Sequence, residues 1–427
     1  MNRPEMRAAI AAHDFGSVFR LARDEARISY SKIAAACDMK PERVGLLARG
    51  GGSVTTFDKV VTIADALRIP GHLLGLAPRW WETGQPLPLA ERAAAGATGG
   101  GDAVDRRDFV RATAGTGLAV GLSGLQPLGT AGRVSHGLPE KLRQRTARLR
   151  RLDDILGGGD TFRVYVGEYQ ATKGILREAS YTEETGRELL SVLAEQAQQA
   201  GWAAFDSGKQ TEARSLYEAS HTAARKAGDQ SLAANALAFL AYQRSDGDRK
   251  AGVDIATRSC RTAGPETPST VRALLHERCA WAHALTGDAG QTEAALSSAQ
   301  QALGENRDEV QPDWSSWVDE TELLIMTGRC WTELGRPLRA VPALERALQG
   351  YDDTHARDKS LYLTWLAEAY LSAGEVEESA RVIGRALDLS SGVASVRPRQ
   401  RITPALSRLS GYRAVSAVAD VLEQAGA

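Results

Sequence analysis

Five glycines, Gly208, Gly247, Gly287, Gly335 and Gly374, recur along the second half of this 427-residue chain at successive spacings of 39, 40, 48 and 39 residues. Each stands between stretches whose apolar residues repeat at helical spacing, so the recurrence reads as five helix pairs with a glycine in every turn. Seven residues before these glycines stand Gly201, Leu240, Ala280, Gly328 and Ala367, small in four of the five cases. A small residue there lets the first helix of a pair, helix A, come close to the second, helix B. After the turn, small or medium residues recur at i, i+4 and i+7: Ala213/Tyr217/Ser220, Gly252/Ala256/Ser259, Ala295/Ala299/Ala302, Ala340/Leu344/Ala347 and Ser379/Ile383/Ala386. This stripe predicts a buried face on each helix B, directed at the next pair. The chain is too long for one compact core, as such an array requires.

The best copy, AGWAAFDSGKQTEARSLYEAS at 200–220, places Gly201-Trp202, Gly208, Glu212-Ala213 and Tyr217 in one register. It resembles the tetratricopeptide repeat, here with a period longer than that family's roughly 34 residues. The resemblance covers 138–427, with an atypical first pair (138–155 and 161–179) and a C-terminal cap from Thr403. It implies an α-solenoid whose A helices carry Gln198, Trp202, Arg244, Glu277, Trp281, Glu322, Arg329 and Glu368 on the inward face, where a peptide or partner protein binds. The same aromatics serve equally as ordinary packing. Asn235 is the one asparagine available there to clamp a peptide backbone.

The segment ISYSKIAAACDMKPERVGLLARG, residues 28–50, reads as two short helices joined by a tight turn. Ser29 is an N-cap, Asp38 suits a left-handed turn position, and Pro41 opens the second helix at its first position. Ile33, Ala34, Cys37, Val44 and Leu47 form the buried side. Over residues 12–76 this resembles the Cro/repressor-like (XRE) helix-turn-helix, with a fourth helix at 56–67 and a fifth that starts with residues 70–74. Tyr30, Asp38, Met39 and Ala48 depart from that family's usual residues. The resemblance implies binding to double-stranded DNA through Lys32, Lys40, Glu42, Arg43, Gly45, Leu46 and Arg49: Arg43 on a guanine edge, with Lys32, Lys40 and Arg49 on phosphates. Lys32 sits in a first helical turn, where a cation opposes the helix dipole, so local stability does not account for it. Gly45 weakens its helix by about 1 kcal/mol and invites close approach of another backbone. The other reading of these residues is a solvated surface that contacts only protein.

Charge distribution favours the nucleic-acid reading. The whole chain carries −1, but residues 1–76 hold 11 basic against 8 acidic residues, 79–151 hold 12 against 6, and the remainder 29 against 39. A basic end joined to an acidic body fits one part facing phosphate. Between the two, residues 77–137 are rich in Gly, Ala, Pro and Thr and read as a flexible linker, with Trp80 and Trp81 near its start and a short helix from Arg106. Arg106-Arg107 followed by a weakly apolar run is similar to a twin-arginine export signal; its internal position and Gly115, Gly117, Gly121 and Gly124 argue against export or membrane insertion. From Leu138 a helix carries Leu142, Leu149, Leu152 and Leu156 on one stripe and Lys141, Arg143, Arg148, Arg150 and Arg151 on a face read as solvated.

Cys37, Cys260, Cys279 and Cys330 are isolated in sequence, which predicts buried free thiols in a reducing cytoplasm. The chain lacks the phosphate-binding loop and the nucleophile elbow, and His276-Glu277-Arg278-Cys279 begins like a zinc-protease motif but has Ala280 where the second ligand belongs. His276 and His283 read as a polar stripe. No catalysis and no cofactor are expected. The combination resembles cytosolic RRNPP-type peptide-sensing regulators, and more closely repeat-bearing XRE regulators of high-G+C Gram-positive bacteria. It implies an all-α transcriptional regulator, dimeric, in which occupancy of the groove alters the spacing of two DNA-binding units. An adaptor that has lost DNA affinity and acts through protein contacts alone is the alternative.

Overall fold

The computed structural model describes residues 3–54, 57–74, 76, 82, 134–156, 158–245, 247–264, 266–305, 310–391, 393 and 395–426. Among these the protein is all-helical, with nineteen α-helices and no strand. None of the described helices is long and apolar enough to cross a membrane. The chain divides into two compact units, Met1–Val134 with Lys173–Ser180, and Ser135–Thr172 with Tyr181–Ala427. The expected linker lies outside the described residues apart from Glu82 and residues 134–137, and so do Trp80, Trp81, the expected helix from Arg106 and the twin-arginine-like stretch.

The first unit contains α1 (Pro4–Ala11), α2 (Phe15–Ala26), α3 (Tyr30–Ala36), α4 (Pro41–Ala48) and α5 (Phe57–Ala66), then a 3-10 turn at Gly71–Leu73. Side chains set these boundaries. Asp14 caps α2 by accepting from the Ser17 amide, Ser29 caps α3 by accepting from the Lys32 amide at 3.3 Å, and Pro41 opens α4. Asp38 takes a φ of +51° in the turn, where the Lys59 Nζ donates to its carbonyl at 2.6 Å. Ile10, Phe19, Ile33, Val44 and Ile63 are each at most 1% exposed and make the core. Helices α2 and α4 cross so closely that a Cβ at Gly16 would lie 2.2 Å from the Leu47 carbonyl oxygen. Helix α1 precedes the stretch expected from sequence, and the expected fifth helix is the single 3-10 turn.

The second unit starts with α6 (Leu138–Leu156) and α7 (Gly158–Glu178), the latter up to Thr172, and continues as A/B pairs: α8 (Glu183–Asp206) with α9 (Gln210–Ala227), α10 (Gln230–Arg244) with α11 (Arg249–Thr262), α12 (Ser269–Leu285) with α13 (Ala289–Gly304), α14 (Glu320–Glu333) with α15 (Pro337–Gln349), and α16 (Ala356–Ala373) with α17 (Val376–Ser390). Helices α18 (Arg397–Leu409) and α19 (Ser416–Gly426) close the series, with α18 starting six residues before the expected cap. Leu138, Leu142 and Leu149 are buried along α6; the side chains of Leu152 and Leu156 lie outside the described residues.

Four of the five turn glycines, Gly208, Gly287, Gly335 and Gly374, have φ between +64° and +87°, the left-handed region that a Cβ disfavours; Gly247 does not. All fifteen residues of the helix-B stripe are buried. Their contacts correct the expectation that they face the next pair. Ser220 accepts from Gln198 at 3.0 Å, Ser259 donates to the Ala234 carbonyl at 2.8 Å, and Ser379 donates to the Ala367 carbonyl at 2.8 Å, each on helix A of the same pair. A Cβ on Gly201 would lie 2.5 Å from Cε1 of Tyr217, and one on Gly328 2.3 Å from Cγ of Leu344. Small residues on both helices thus let the two members of a pair approach.

Each A helix also packs against the next A helix, from α8 through to α18. The series returns on itself: ahead of α18, the Val396 amide donates to the Asp206 carbonyl at 3.0 Å and Ser395 donates to the Asp206 carboxylate at 2.8 Å, at the end of α8. The outlying 48-residue interval is occupied by an inserted segment carrying a 3-10 turn, Asp313–Ser315, which packs on α6 and α12.

Substitution separates these roles of glycine. Gly201→Ala is expected to lose about 1–3 kcal/mol of unfolding free energy through overpacking on Tyr217. Gly167→Ala, in α7 with nothing within 4 Å of the added carbon, is expected to gain about 0.5–1 kcal/mol. Urea unfolding of the two variants measures both; equal effects would contradict the close-approach account.

Candidate functional site

The inner faces of the A helices enclose a cavity of about 520 Å³ in the second unit. Asn235, Phe239 and Tyr242 line it from α10 at i, i+4 and i+7, one face of that helix. Gln198 and Trp202 of α8, Arg278 of α12, Glu322 and Arg329 of α14, Asp358 and Tyr362 of α16 and Arg397 of α18 continue the wall. Trp314 and Trp317 of the inserted segment complete it together with Arg150 and Arg151 of α6. The basic face of α6, expected to be solvated, is thus partly turned inward: Arg150 is ion-paired to Glu195 and Asp313, and Arg151 reaches Asp313 at 3.3 Å.

At its centre stands the hydroxyl of Tyr242. Nη2 of Arg329 donates to it at 2.9 Å and Nη2 of Arg397 at 3.1 Å. The guanidinium of Arg278 lies 5.6 Å from the Tyr242 ring centroid. Indole rings pack on two of the arginines: Arg329 lies 4.5 Å from Trp281 and 4.2 Å from Trp365, and Arg397 lies 4.7 Å from Trp202. Such contacts offset part of the desolvation of a buried guanidinium, by about 2 kcal/mol each where water is excluded. Burial alone pushes the Tyr242 phenol up, but the charges of Arg329, Arg397 and Arg278 outweigh it and bring its pKa down to about 8. Glu277 is wholly buried and both its carboxylate oxygens lack a hydrogen-bond partner. Burial first, and then Glu322, raises its pKa well above the usual range; Glu322 is also raised, by burial.

Of the groove residues expected from sequence, Gln198, Trp202, Glu322 and Arg329 line the cavity. Gln198 is spent internally: its Oε1 accepts from Asn235 at 2.7 Å and its Nε2 donates to Ser220 and to the Leu232 carbonyl. Trp281 is 7% exposed, edge-on to Trp365 at 5.9 Å and beneath Arg329, so it supports the wall without forming it. Glu277 lies behind it in the same way. Arg244 is exposed and outside the cavity, because two residues beyond Tyr242 a helix has turned about 200°. Glu368 is outside as well, held by Arg401 and Arg408 of α18. Sequence reading missed Tyr242, Arg278 and Arg397. The longer glycine interval was the available signal for Trp314 and Trp317.

In the first unit, Lys32, Lys40, Glu42, Arg43 and Arg49 are exposed around α3, the turn and α4, and Leu46 is 43% exposed among them. The opposite side of α4 is buried through Val44, Leu47 and Ala48. Gly45 belongs to that buried set, beneath Tyr30 and Arg49, which corrects its assignment to the exposed face. Arg43 lies along the following loop, its Nη2 donating to the Ser53 carbonyl at 2.7 Å.

The four cysteines are free thiols, but against the expectation that all are buried, Cys260 and Cys279 are only half-buried, and the four are not equally inert. Burial pushes Cys37 up to about 11 and Cys330 up to about 12. Cys279 is lowered to about 6, chiefly by a hydrogen bond from Cys260 and also by His283. His276 Nδ1 is 4.0 Å from the Cys260 sulfur. Among the described residues, no group of three or more His, Cys, Asp or Glu is arranged to hold a metal ion. Neither protein-family models nor curated proteins match this chain.

Two titrations check these environments. Tyrosinate absorbance should reveal one residue ionising near pH 8, against about 10 for an ordinary tyrosine. It should vanish in Tyr242→Phe and move toward 10 in Arg329→Met. Because the folded state favours the ionised form, this group adds stability as pH rises from about 8 to 10, and loses that contribution as pH falls back through 8. Separately, limiting iodoacetamide at neutral pH should label Cys279 ahead of Cys37, Cys260 and Cys330, read by peptide mass spectrometry; preferential labelling of Cys37 would contradict the assigned thiolate.

Proposed function

We propose that this protein is a DNA-binding transcriptional regulator whose first unit contacts the major groove through α4 and whose second unit holds an effector in the cavity around Tyr242. The observation that carries the reading is the division of α4: Val44, Leu47 and Ala48 are buried, while Lys40, Arg43 and Arg49, with Lys32 on the preceding helix, stand exposed together. A seven-residue helix, a turn with a left-handed aspartate and a proline-started second helix support a helix-turn-helix reading, in which the second helix would present residues to base edges. Paired A and B helices, left-handed turn glycines and a buried small-residue stripe support a tetratricopeptide-like array in the second unit. Function as a homodimer on two half-sites belongs to the same proposal.

An adaptor acting only through protein contacts is the second reading. What favours it is the exposed Leu46 at the middle of the α4 face, and the Arg43 guanidinium already engaged by the Ser53 carbonyl. Salt dependence separates the two. In binding to a selected duplex at matched salt, Arg43→Ala should cost about 1–3 kcal/mol and relax sequence preference, whereas Lys32→Ala should weaken all sequences alike and lower the salt slope by about one unit. Indifference of binding to both substitutions would favour the adaptor.

A further inference from the structure

The cavity carries cationic groups at its centre with N–H donors that the fold leaves without an acceptor. Acidic groups around it are already engaged: Glu195 and Asp313 by Arg150, Asp358 by Arg357 at 3.0 Å, and Asp319 by the N-terminus of α14, whose Glu322 amide donates to it at 2.9 Å. Arg278, Arg329 and Arg397 instead converge on the phenol of Tyr242. Arg397 also has Asp206 at 3.7 Å. Arg329 is 3% exposed, yet its Nε has no acceptor; Nη1 of Arg278 is equally without one. Two carboxylates beside them, Glu277 and Glu322, leave these donors without an acceptor. Glu277 accepts no hydrogen bond and comes no nearer than 4.0 Å to Arg278, and Glu322 takes the hydroxyl of Tyr362 at 3.2 Å. Burial raises the pKa of both acids against the opposing pull of Arg278 and Arg329.

Buried guanidiniums whose shared acceptor is a phenol are costly unless an anion joins them. Flat apolar surface lies alongside, from Trp202, Phe239 and Trp314. A volume of about 520 Å³ is in the range of small-molecule pockets.

We infer that the cavity binds a small organic anion, its carboxylate or phosphate held by Arg278 and Arg329 with Arg397 alongside, and its planar apolar part resting on Trp202, Phe239 and Trp314. The inference deepens the reading of the cavity as an effector site and does not depend on the first unit binding DNA. Arginine suits the role because its fixed fork of N–H donors pairs with two oxygens of one anion. The anion takes donors now directed at the Tyr242 hydroxyl and offsets their field, so its binding drives the Tyr242 ionisation back upward.

The test is calorimetric titration of the full-length protein with four probes: phenylpropionate, its neutral amide phenylpropionamide, phenyl phosphate and inorganic phosphate. At least one aromatic acid should bind about tenfold or more tightly than the amide and should raise the midpoint of the Tyr242 titration. Tighter binding of phenylpropionate assigns a carboxylate and tighter binding of phenyl phosphate assigns a phosphate. Arg278→Met should abolish the preference for acid over amide with the melting temperature retained, while Arg244→Met, at an exposed arginine outside the cavity, should keep the preference. Equal binding of acid and amide, inorganic phosphate binding as tightly as phenyl phosphate, or no binding by any probe at about 10 mM would each overturn the inference. Measuring duplex binding on the same preparation keeps the readings apart: acid preference without DNA affinity would refute the regulator and leave this site standing.

Discussion

Close approach within each helix pair is the constraint on which the second unit depends. Gly201 against Tyr217 and Gly328 against Leu344 leave no space for a single added carbon, and the buried stripe on helix B is built from residues small enough to admit its partner. With the pairs this tight, successive A helices lie against one another and their inner faces form a continuous wall. Gln198, Tyr242, Arg278 and Arg329, from four different helices, reach one cavity for that reason.

What occupies the centre of that wall is unusual for a core. Three arginines, one of them layered between two indole rings and a second against one, these two sharing one tyrosine oxygen, stand where aliphatic side chains would pack at lower cost. Replacing a buried ion cluster by apolar residues is often neutral or stabilising, so folding alone does not account for this choice. A binding role does: the guanidiniums are held in place by packing before any ligand arrives, which lowers the ordering cost of recognition. Arg150 and Arg151 of α6, bound to Asp313 of the inserted segment, fix the part of the wall that carries Trp314 and Trp317.

The sequence made the local rules legible. Ser29, Asp38 and Pro41 have the capping, turn and helix-opening geometry their side chains predict, and four of the five recurrent glycines take the left-handed conformation expected of a turn. Periodicity identified which helix-B residues are buried but not what they touch, because a stripe at i, i+4 and i+7 fits either neighbouring helix. The repeat resemblance misassigned Arg244 and Glu368, since the inward face of an A helix is set by tertiary packing, and for Arg244 a displacement of two positions from Tyr242 rotates the side chain to the opposite side. The closure that brings Arg397 to Tyr242 depends on Ser395 and Val396 meeting Asp206, a contact across 189 residues for Ser395 that no local pattern encodes. Gly45 was misplaced for a related reason: a glycine reads as exposed or buried only once Tyr30 and Arg49 are positioned over it.

The central claim, that the exposed cations of α3 and α4 serve DNA recognition, is tested most directly by genome-wide crosslinking of the tagged full-length protein to DNA. The account predicts discrete peaks that share one sequence motif and that disappear in Arg43→Ala while the protein's abundance and melting temperature are retained. Absence of peaks from the wild-type protein, present at the same level and folded, would contradict it.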